Sequence, residues 1–531
     1  MAGRLAIDFG TSNTVVAVWD ETEQQGNVLH IPDYGQYTPY QNENISVIPS
    51  LIHYATDKQQ WVGSQVLQRN LYHSKRTFRW IKRYISNRSP IKMRLDGQSL
   101  SYFDAGKDFL LRVILFATEE LDISDEEIAL TVPVESFEHY ENWLNDVVSE
   151  TKSLRFRLVD EASSAALGYG ANIQPGDVYF IFDFGGGTLD VSVVLVEEEK
   201  SQPQSGKRCR ILGKAGLDVG GATIDQWLFQ AVLRKNGRTD NEESVREISN
   251  TILVECERAK ERLSSHDHAD ISVINPFSGD MIFFELSRIQ FEDLLEENDL
   301  FSKIDRTIRR ALNSARERGY QEDDIKTVLT VGGSSQIPAV QKMLRRIFGK
   351  DKVLFNRPLD AVARGAAAFV AGVDFYDHIQ HDYGIRYFNR QKNAYDYRTI
   401  VERGTPYPSN EPIIDLTIKA AYDGQTELGL PIYEMSEQRT RPEEQPMELV
   451  FDPSGTARLM TITAEDDVHR TRFWMNEHNP TFLTANPPAQ QSEKRFQIYF
   501  SIDSNKRLLI NTHDLITDRM IHKDYPVVKL T

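Results

Sequence analysis

An aspartate-led glycine turn occurs twice between β-branched strands, and it restricts the fold of this chain more than any other feature. Asp8-Phe9-Gly10-Thr11-Ser12-Asn13-Thr14 lies between Leu5–Ile7 and Val15–Val18. Asp183-Phe184-Gly185-Gly186-Gly187-Thr188-Leu189-Asp190 lies between Tyr179–Phe182 and Val191–Leu195. Glycine lets backbone N–H groups approach an anion closely, and a carboxylate at a strand end can hold Mg²⁺ through water. One such cluster alone is as readily an ordinary hairpin turn. Two copies facing each other would clamp the β- and γ-phosphates of a nucleotide. A third segment, Val328-Leu329-Thr330-Val331-Gly332-Gly333-Ser334-Ser335, is apolar up to a double glycine and then enters a helix near Pro338. That junction lets a flat base and sugar approach the backbone, although alone it is equally a tight strand-to-helix turn.

Other nucleotide folds drop out on their letters. The Asp-Phe-Gly string occurs in protein kinases, but the His-Arg-Asp loop and the Val-Ala-Ile-Lys strand are absent. No Gly-x4-Gly-Lys-Ser/Thr loop occurs either. Short β-branched runs alternate with helical patterns up to about residue 370, as in Ile128–Val132 before 135–150 and Val328–Val331 before 337–348, which predicts an α/β domain. Beyond Val373 the helical period fades into two-residue alternation. In Phe496–Ile502 one face carries Phe496, Ile498, Phe500 and Ile502, followed by a turn at Ser504-Asn505. A second hairpin is readable from Glu448–Phe451 through Asp452-Pro453-Ser454-Gly455 into Arg458–Thr463. The expected organisation is an α/β domain over 1–372, a linker over 373–385 and a β-rich domain over 386–531, with no helical lid after it.

The 531 residues exceed one ordinary core. A net charge of −17 disfavours nucleic acid and anionic membrane surfaces as partners. Cys209 and Cys256 have no metal-ligand spacing and suit a reducing compartment, so a cytoplasmic location is expected. Met1 leads directly into Leu5-Ala6-Ile7 without a signal-peptide pattern, and Asp183, Asp190 and three glycines interrupt the apolar stretch Val178–Val196. No membrane segment is expected. His266-Asp267-His268 reads as an exposed turn rather than a metal site.

In order and spacing, Asp8–Thr14, Ile81-Lys82-Arg83, Leu130–Pro133, Asp160-Glu161 with Ala165–Gly170, Asp183–Asp190, Val219-Gly220-Gly221, Cys256–Ser265 and Val331–Ser334 resemble the seventy-kilodalton heat-shock chaperones, the heat shock protein 70 family. The likeness runs from Asp8 to about Gly372 and is weaker in the β region. It implies an actin-like (ribonuclease H-like) fold whose two lobes close over ATP, followed by a peptide-binding β-sandwich. By the same resemblance Lys82 would orient the attacking water and γ-phosphate, and Glu161 and Asp183 would organise water and metal. Asp8, with Asp183, would hold Mg²⁺ through water, and Asp190 would relay a proton. Thr188, counted with these catalytic residues, would bind phosphate with Gly10, Thr11, Ser12, Asn13, Gly185, Gly186 and Gly187. Gly220, Gly221, Glu257, Lys260, Ser264, Gly332, Gly333 and Ser334 would surround ribose and adenine.

Four departures accompany the likeness. Gln336 and Glu261 stand where relatives place arginines able to stack on adenine, and Glu141 stands in place of a switch arginine. The polar run Asp374–His381 replaces a leucine-rich linker. The reading that results is a slow ATPase of chaperone type, using ATP/ADP and Mg²⁺, with unfolded or specific polypeptides as clients and co-chaperones as possible partners. The alternative is a non-hydrolysing or very slow ATP switch that regulates a partner protein. A metabolite kinase and an actin-like filament protein are weaker rivals, because the β-rich region offers a peptide groove rather than a sugar pocket and filament proteins end with the ATPase fold.

Overall fold

The aspartate-led turns open the two largest sheets of the protein, here described from a computed structural model. The structure describes residues 4–41, 43–121, 127–133, 138–151, 155–170, 174, 176–198, 207–371, 379, 381–389, 392–405, 407–409, 411–435, 447–461, 463, 466, 471–477, 480–503 and 506–530. Most of the Asp374–His381 run and the Ser504-Asn505 turn lie outside the described residues.

In the first sheet, Leu5–Phe9 pairs antiparallel with Asn13–Asp20 and parallel with Glu127–Val132, which in turn pairs with Arg155–Asp160. Glu43–Pro49, Gln36–Tyr40 and Gln25–Val28 extend its other edge. The second sheet repeats the plan. Val178–Phe184 pairs antiparallel with Leu189–Glu198 and parallel with Ile325–Val331, with Lys207–Leu217 and Val353–Leu354 at the edges. Tyr179, Ile181, Val194 and Val331 meet the alanine face of helix Glu161–Gly168. Ala6, Val15 and Ala17 meet Ala363, Ala366 and Ala367 of helix Ala361–Val370. Small side chains let these helices approach each sheet closely, so the strand ends that carry Asp8 and Asp183 are set by packed backbone rather than by long side chains.

The chain forms two compact units: Met1–Ser136, Tyr140–Tyr376 and Glu443–Ile462 make up the first, and Phe137–His139, Asp377–Pro442 and Thr463–Thr531 the second. The second unit holds two four-stranded antiparallel sheets and a two-stranded ladder. Lys494–Ile502 buries Phe496, Ile498, Phe500 and Ile502 in its core, as two-residue alternation demands. The hairpin Met447–Phe451 with Ala457–Thr461 follows the turn chemistry of its sequence. Asp452 accepts hydrogen bonds from Ser454 N and Thr456 N, and Gly455 takes φ +76°. Its apolar residues Leu449, Val450 and Phe451, buried on both faces of the strand, belong to the core of the first unit.

No helix among the described residues is long and apolar enough to cross a membrane. His266 and Asp267 are exposed between helix Glu243–Ser265 and strand His268–Ile274.

Candidate active site

Asp8 is the fourth residue of the Leu5–Phe9 strand and faces the end of the parallel neighbour, where Thr131 Oγ1 donates to Asp8 Oδ1 at 2.7 Å. Asp183 holds the matching place in the second sheet, paired across the ladder with Asp190, whose Oδ2 accepts from Thr188 Oγ1 at 2.7 Å. The two turns face each other at close range. A Cβ on Gly186 would fall 2.4 Å from Ser12 Oγ, and one on Gly187 would fall 2.7 Å from Thr11 Oγ1. Only glycine leaves backbone N–H groups accessible at that separation.

Lys82 is the second residue of the short helix Ile81–Ser86, and its Nζ reaches Glu161 Oε1 at 2.5 Å. Glu161 opens helix Glu161–Gly168, fixed by the Asp160 cap that accepts from Ser163 N at 2.7 Å. Lys82 is 7% exposed, so the ordinary reading of a solvated surface lysine does not apply. Burial alone would lower its ammonium pKa, but Glu161, Tyr140 and Asp8 outweigh burial and raise it. Burial pushes the Asp183 carboxyl well above its usual range, and the neighbouring charges of Glu161, Asp190 and Asp8 push it further. Asp8 and Glu161 are raised by burial as well, against the opposing pull of Lys82. Several carboxylates therefore surround one buried ammonium, an excess of negative charge that favours a cation. Among the described residues no three His, Cys, Asp or Glu side chains converge to ligate a metal directly.

The third glycine turn closes on the second. Gly332 has φ +80°, and a Cβ there would fall 2.4 Å from the carbonyl carbon of Phe184. Ser334 Oγ and Gly221 N both donate to Gly185 O, at 2.8 and 3.0 Å, and Ala222 N donates to Gly186 O. Helix Gly221–Lys235 thus starts on the Asp183 turn. Lys260 Nζ donates to Gly221 O at 3.2 Å and to Asp225 Oδ2 at 2.9 Å. The structure thereby gathers Asp8, Thr11, Ser12, Lys82, Glu161, Asp183, the loop glycines, Thr188 and Asp190 in one place, with Gly220, Gly221, Lys260, Gly332 and Ser334 beside them. Gly10 O accepts from Ser50 Oγ, and Asn13 pairs with Pro49 at the edge of the first turn. Gly333 is exposed, Gln336 is half-buried, and Ser264 bonds the Lys260 carbonyl within its own helix.

Glu257 is held in a way the sequence did not reveal. Tyr72 OH donates to it, and Arg79 Nη2 donates to Glu257 Oε2 at 3.0 Å. Arg79 is 2% exposed and lies over the rings of Tyr72, Trp80 and Phe451. Its Nε and Nη1 have no hydrogen-bond partner among the described residues. Thr131 and Asp225 were also missed. Only Thr131 carried a signal, lying in the apolar run Ile128–Val132 and within the Leu130–Pro133 piece of the resemblance.

Known proteins share sequence with this chain. The Hsp70 protein family model matches residues 154–379, a span that includes Glu161, the Asp183 turn and the Gly332 turn. The Chaperone protein DnaK of Thermosipho africanus (strain TCF52B) is 24% identical over 530 residues, covering 97% of this chain and 78% of that one. The likeness is carried through almost the whole length rather than by the glycine turns alone, and over that length the chain is similar to the Hsp70 family.

Proposed function

We propose that this protein is a chaperone-type ATPase that hydrolyses ATP slowly with Mg²⁺ and binds polypeptide clients. The observation that carries the reading is the buried Lys82–Glu161 pair beside Asp8 and Asp183, held between two facing glycine turns. We read residues 1–372, together with the 443–462 segment that belongs to the same unit, as an actin-like domain whose lobes are built on the two sheets, and the rest of 386–531, joined through 373–385, as a β-sandwich for extended peptide. An added peptide gains backbone hydrogen bonds at a sheet edge there.

The residues present suit Mg·ATP. Facing turns that a single Cβ would fill offer N–H groups to phosphate oxygens, and the excess of carboxylate suits a divalent ion held through water by Asp8 and Asp183. Bound Mg²⁺ would supply neutralisation of the phosphate charge. Lys82 would orient the γ-phosphate and the attacking water, while Glu161 and Asp183 fix that water and Asp190 takes its proton. Thr11, Ser12, Asn13 and Thr188 would hold the phosphates. Lys260, Glu257, Ser264 and Ser334 would line the ribose and base. Phosphoryl transfer asks little covalent work of a protein, so placing these groups supplies most of the acceleration. Co-chaperone partners and a cytoplasmic location belong to the same reading, and two buried free cysteines suit a reducing compartment.

Lys82→Ala tests it. Because Lys82 acts on the reacting phosphate, turnover should fall by about a hundredfold or more while Mg·ATP affinity changes by no more than a few-fold. Equal losses in both would remove Lys82 from the chemical step. The second reading, an ATP switch without turnover, draws on Gln336, Glu261 and Glu141 standing where the family resemblance expects arginines. Tight ATP binding with no phosphate release by the wild-type protein would establish that reading instead.

A further inference from the structure

We infer that the Met447–Thr461 hairpin is a clamp on the nucleotide cleft, and that its Glu448, Leu449 and Phe451 are positioning residues for the helix that carries Lys82. The inference rests on the ATP-site reading for the word nucleotide, and on geometry alone for the clamp.

The hairpin is bound on both sides of the site. Toward the second lobe, three polar side chains take up its backbone as a neighbouring strand would. The Gln226 amide accepts from Leu449 N at 2.8 Å and donates to Met447 O. The Asn250 amide donates to Gly455 O and accepts from Ala457 N, each at 2.9 Å. Asp240 Oδ2 accepts from Leu459 N at 3.2 Å, and Arg458 Nη2 donates to Asn241 at 2.6 Å. Gln226 lies on helix Gly221–Lys235, the helix whose first turn bonds the Gly185 and Gly186 carbonyls.

Toward the first lobe, the same hairpin grips the segment around Lys82. The Phe451 ring packs on Trp80 at 5.6 Å and on Tyr84 at 6.3 Å between centroids, and Tyr84 OH points to Leu449 O at 3.4 Å. Arg83, next to Lys82, pairs with Glu448 at 3.2 Å, both side chains being buried. Arg94 N donates to Pro453 O at 2.9 Å, and Gly455 lies so close to the Lys75 carbonyl that a Cβ would fall 1.9 Å from it. Lys82 therefore projects toward Glu161 while its neighbours Trp80, Arg83 and Tyr84 are held by the hairpin. Phe451 also covers Arg79, whose guanidinium crosses to Glu257.

A lobe-to-lobe connector of this kind restrains opening. The helix that carries Lys82 and the helix that starts on the Asp183 turn are both tied to the hairpin, so separating the lobes requires breaking one set of bonds or the other. The hairpin itself belongs to the first unit, although the chain before and after it is assigned to the second.

Amide hydrogen exchange on the full-length, nucleotide-free protein tests the clamp without nucleotide. Asn250→Ala removes two hydrogen bonds to the hairpin and alters no residue of the first lobe. Exchange at Ile81–Ser86 should nevertheless rise by about tenfold or more, as it should in Phe451→Ala. A rise confined to residues near 250 and 455–457, with 81–86 unchanged, would overturn the inference. Stopped-flow release of N-methylanthraniloyl-ADP should accelerate by about tenfold in both variants, with Glu448→Gln between them and the wild type. Should Phe451→Ala not fold, Phe451→Leu keeps a larger apolar side chain than alanine and loses the ring contacts. Wild-type release rates in folded variants would overturn the clamp. Absence of labelled-ADP binding to the wild-type protein would overturn the ATP reading, and the exchange experiment would still decide the clamp.

Discussion

Removing Lys82 should destabilise the protein, and the loss should be reversed by neutralising Glu161. In Lys82→Met the methylene stem is kept and the ammonium is lost, so Glu161 stays buried among Asp8 and Asp183 without its cation. Breaking one side of a buried pair costs about 3–5 kcal/mol, because a charge is left uncompensated. Glu161→Gln in the same background removes that charge, and most of the loss should return while hydrolysis does not. The pH dependence has a definite sign. Burial already raises the Glu161 pKa, and without Lys82 it rises further above its unfolded value, so the folded variant binds more protons than the unfolded chain. Stability of Lys82→Met relative to wild type therefore improves as pH falls, by up to about 1.4 kcal/mol per pH unit per proton. Urea titration by tryptophan fluorescence suits the measurement, since every tryptophan except Trp474 lies in the first unit. A loss below about 1 kcal/mol in Lys82→Met, or a double variant no more stable than the single one, would refute the reasoning.

Two further outcomes follow from other parts of the structure. With Gln336 and Glu261 in place of stacking arginines, ATP should be preferred over GTP only modestly in competition titration, and Arg79→Ala should weaken binding more than Gln336→Ala because Arg79 anchors Glu257. A strong ATP preference, or equal effects of the two substitutions, would contradict this. In the second unit, burial would raise the Asp514 carboxyl, but bonds from Ile516 N and Thr517 N and the Arg495 guanidinium bring it below its usual value. Its contribution is present above the unfolded carboxylate range and lost as pH falls through the folded value, so wild type should lose more stability between about pH 5 and pH 3 than Asp514→Asn does. Equal losses by urea titration would rule the contribution out.

The parts of the protein legible from sequence are those whose cause is local. Asp452-Pro453-Ser454-Gly455 announces its turn because the Asp452 carboxylate and the positive φ of Gly455 act within four residues. Phe496–Ile502 announces its buried face because side-chain alternation is a property of one strand. The two aspartate-led turns were visible for the same reason, each being a strand, a turn and a strand in succession. Lys82 was different. Its residue type and neighbours say surface, and only the resemblance singled it out, because burial and the partner Glu161 come from a helix 79 residues away. Arg79 was less legible still, since its burial depends on the distant Phe451 ring and on the partner Glu257 as well as on its neighbours Tyr72 and Trp80. The hairpin's partners were the least legible of all. Gln226 and Asn250 sit on helices more than two hundred residues from the strands they bind, and a polar residue on a helix ordinarily faces water. An amide side chain that donates and accepts in parallel with a backbone peptide can stand in for the next strand of a sheet, and that substitution leaves no periodic or compositional mark. Sequence patterns therefore mark the strand ends that carry Asp8 and Asp183, whereas contacts such as those of Gln226 and Asn250 with the hairpin emerge only where distant elements meet.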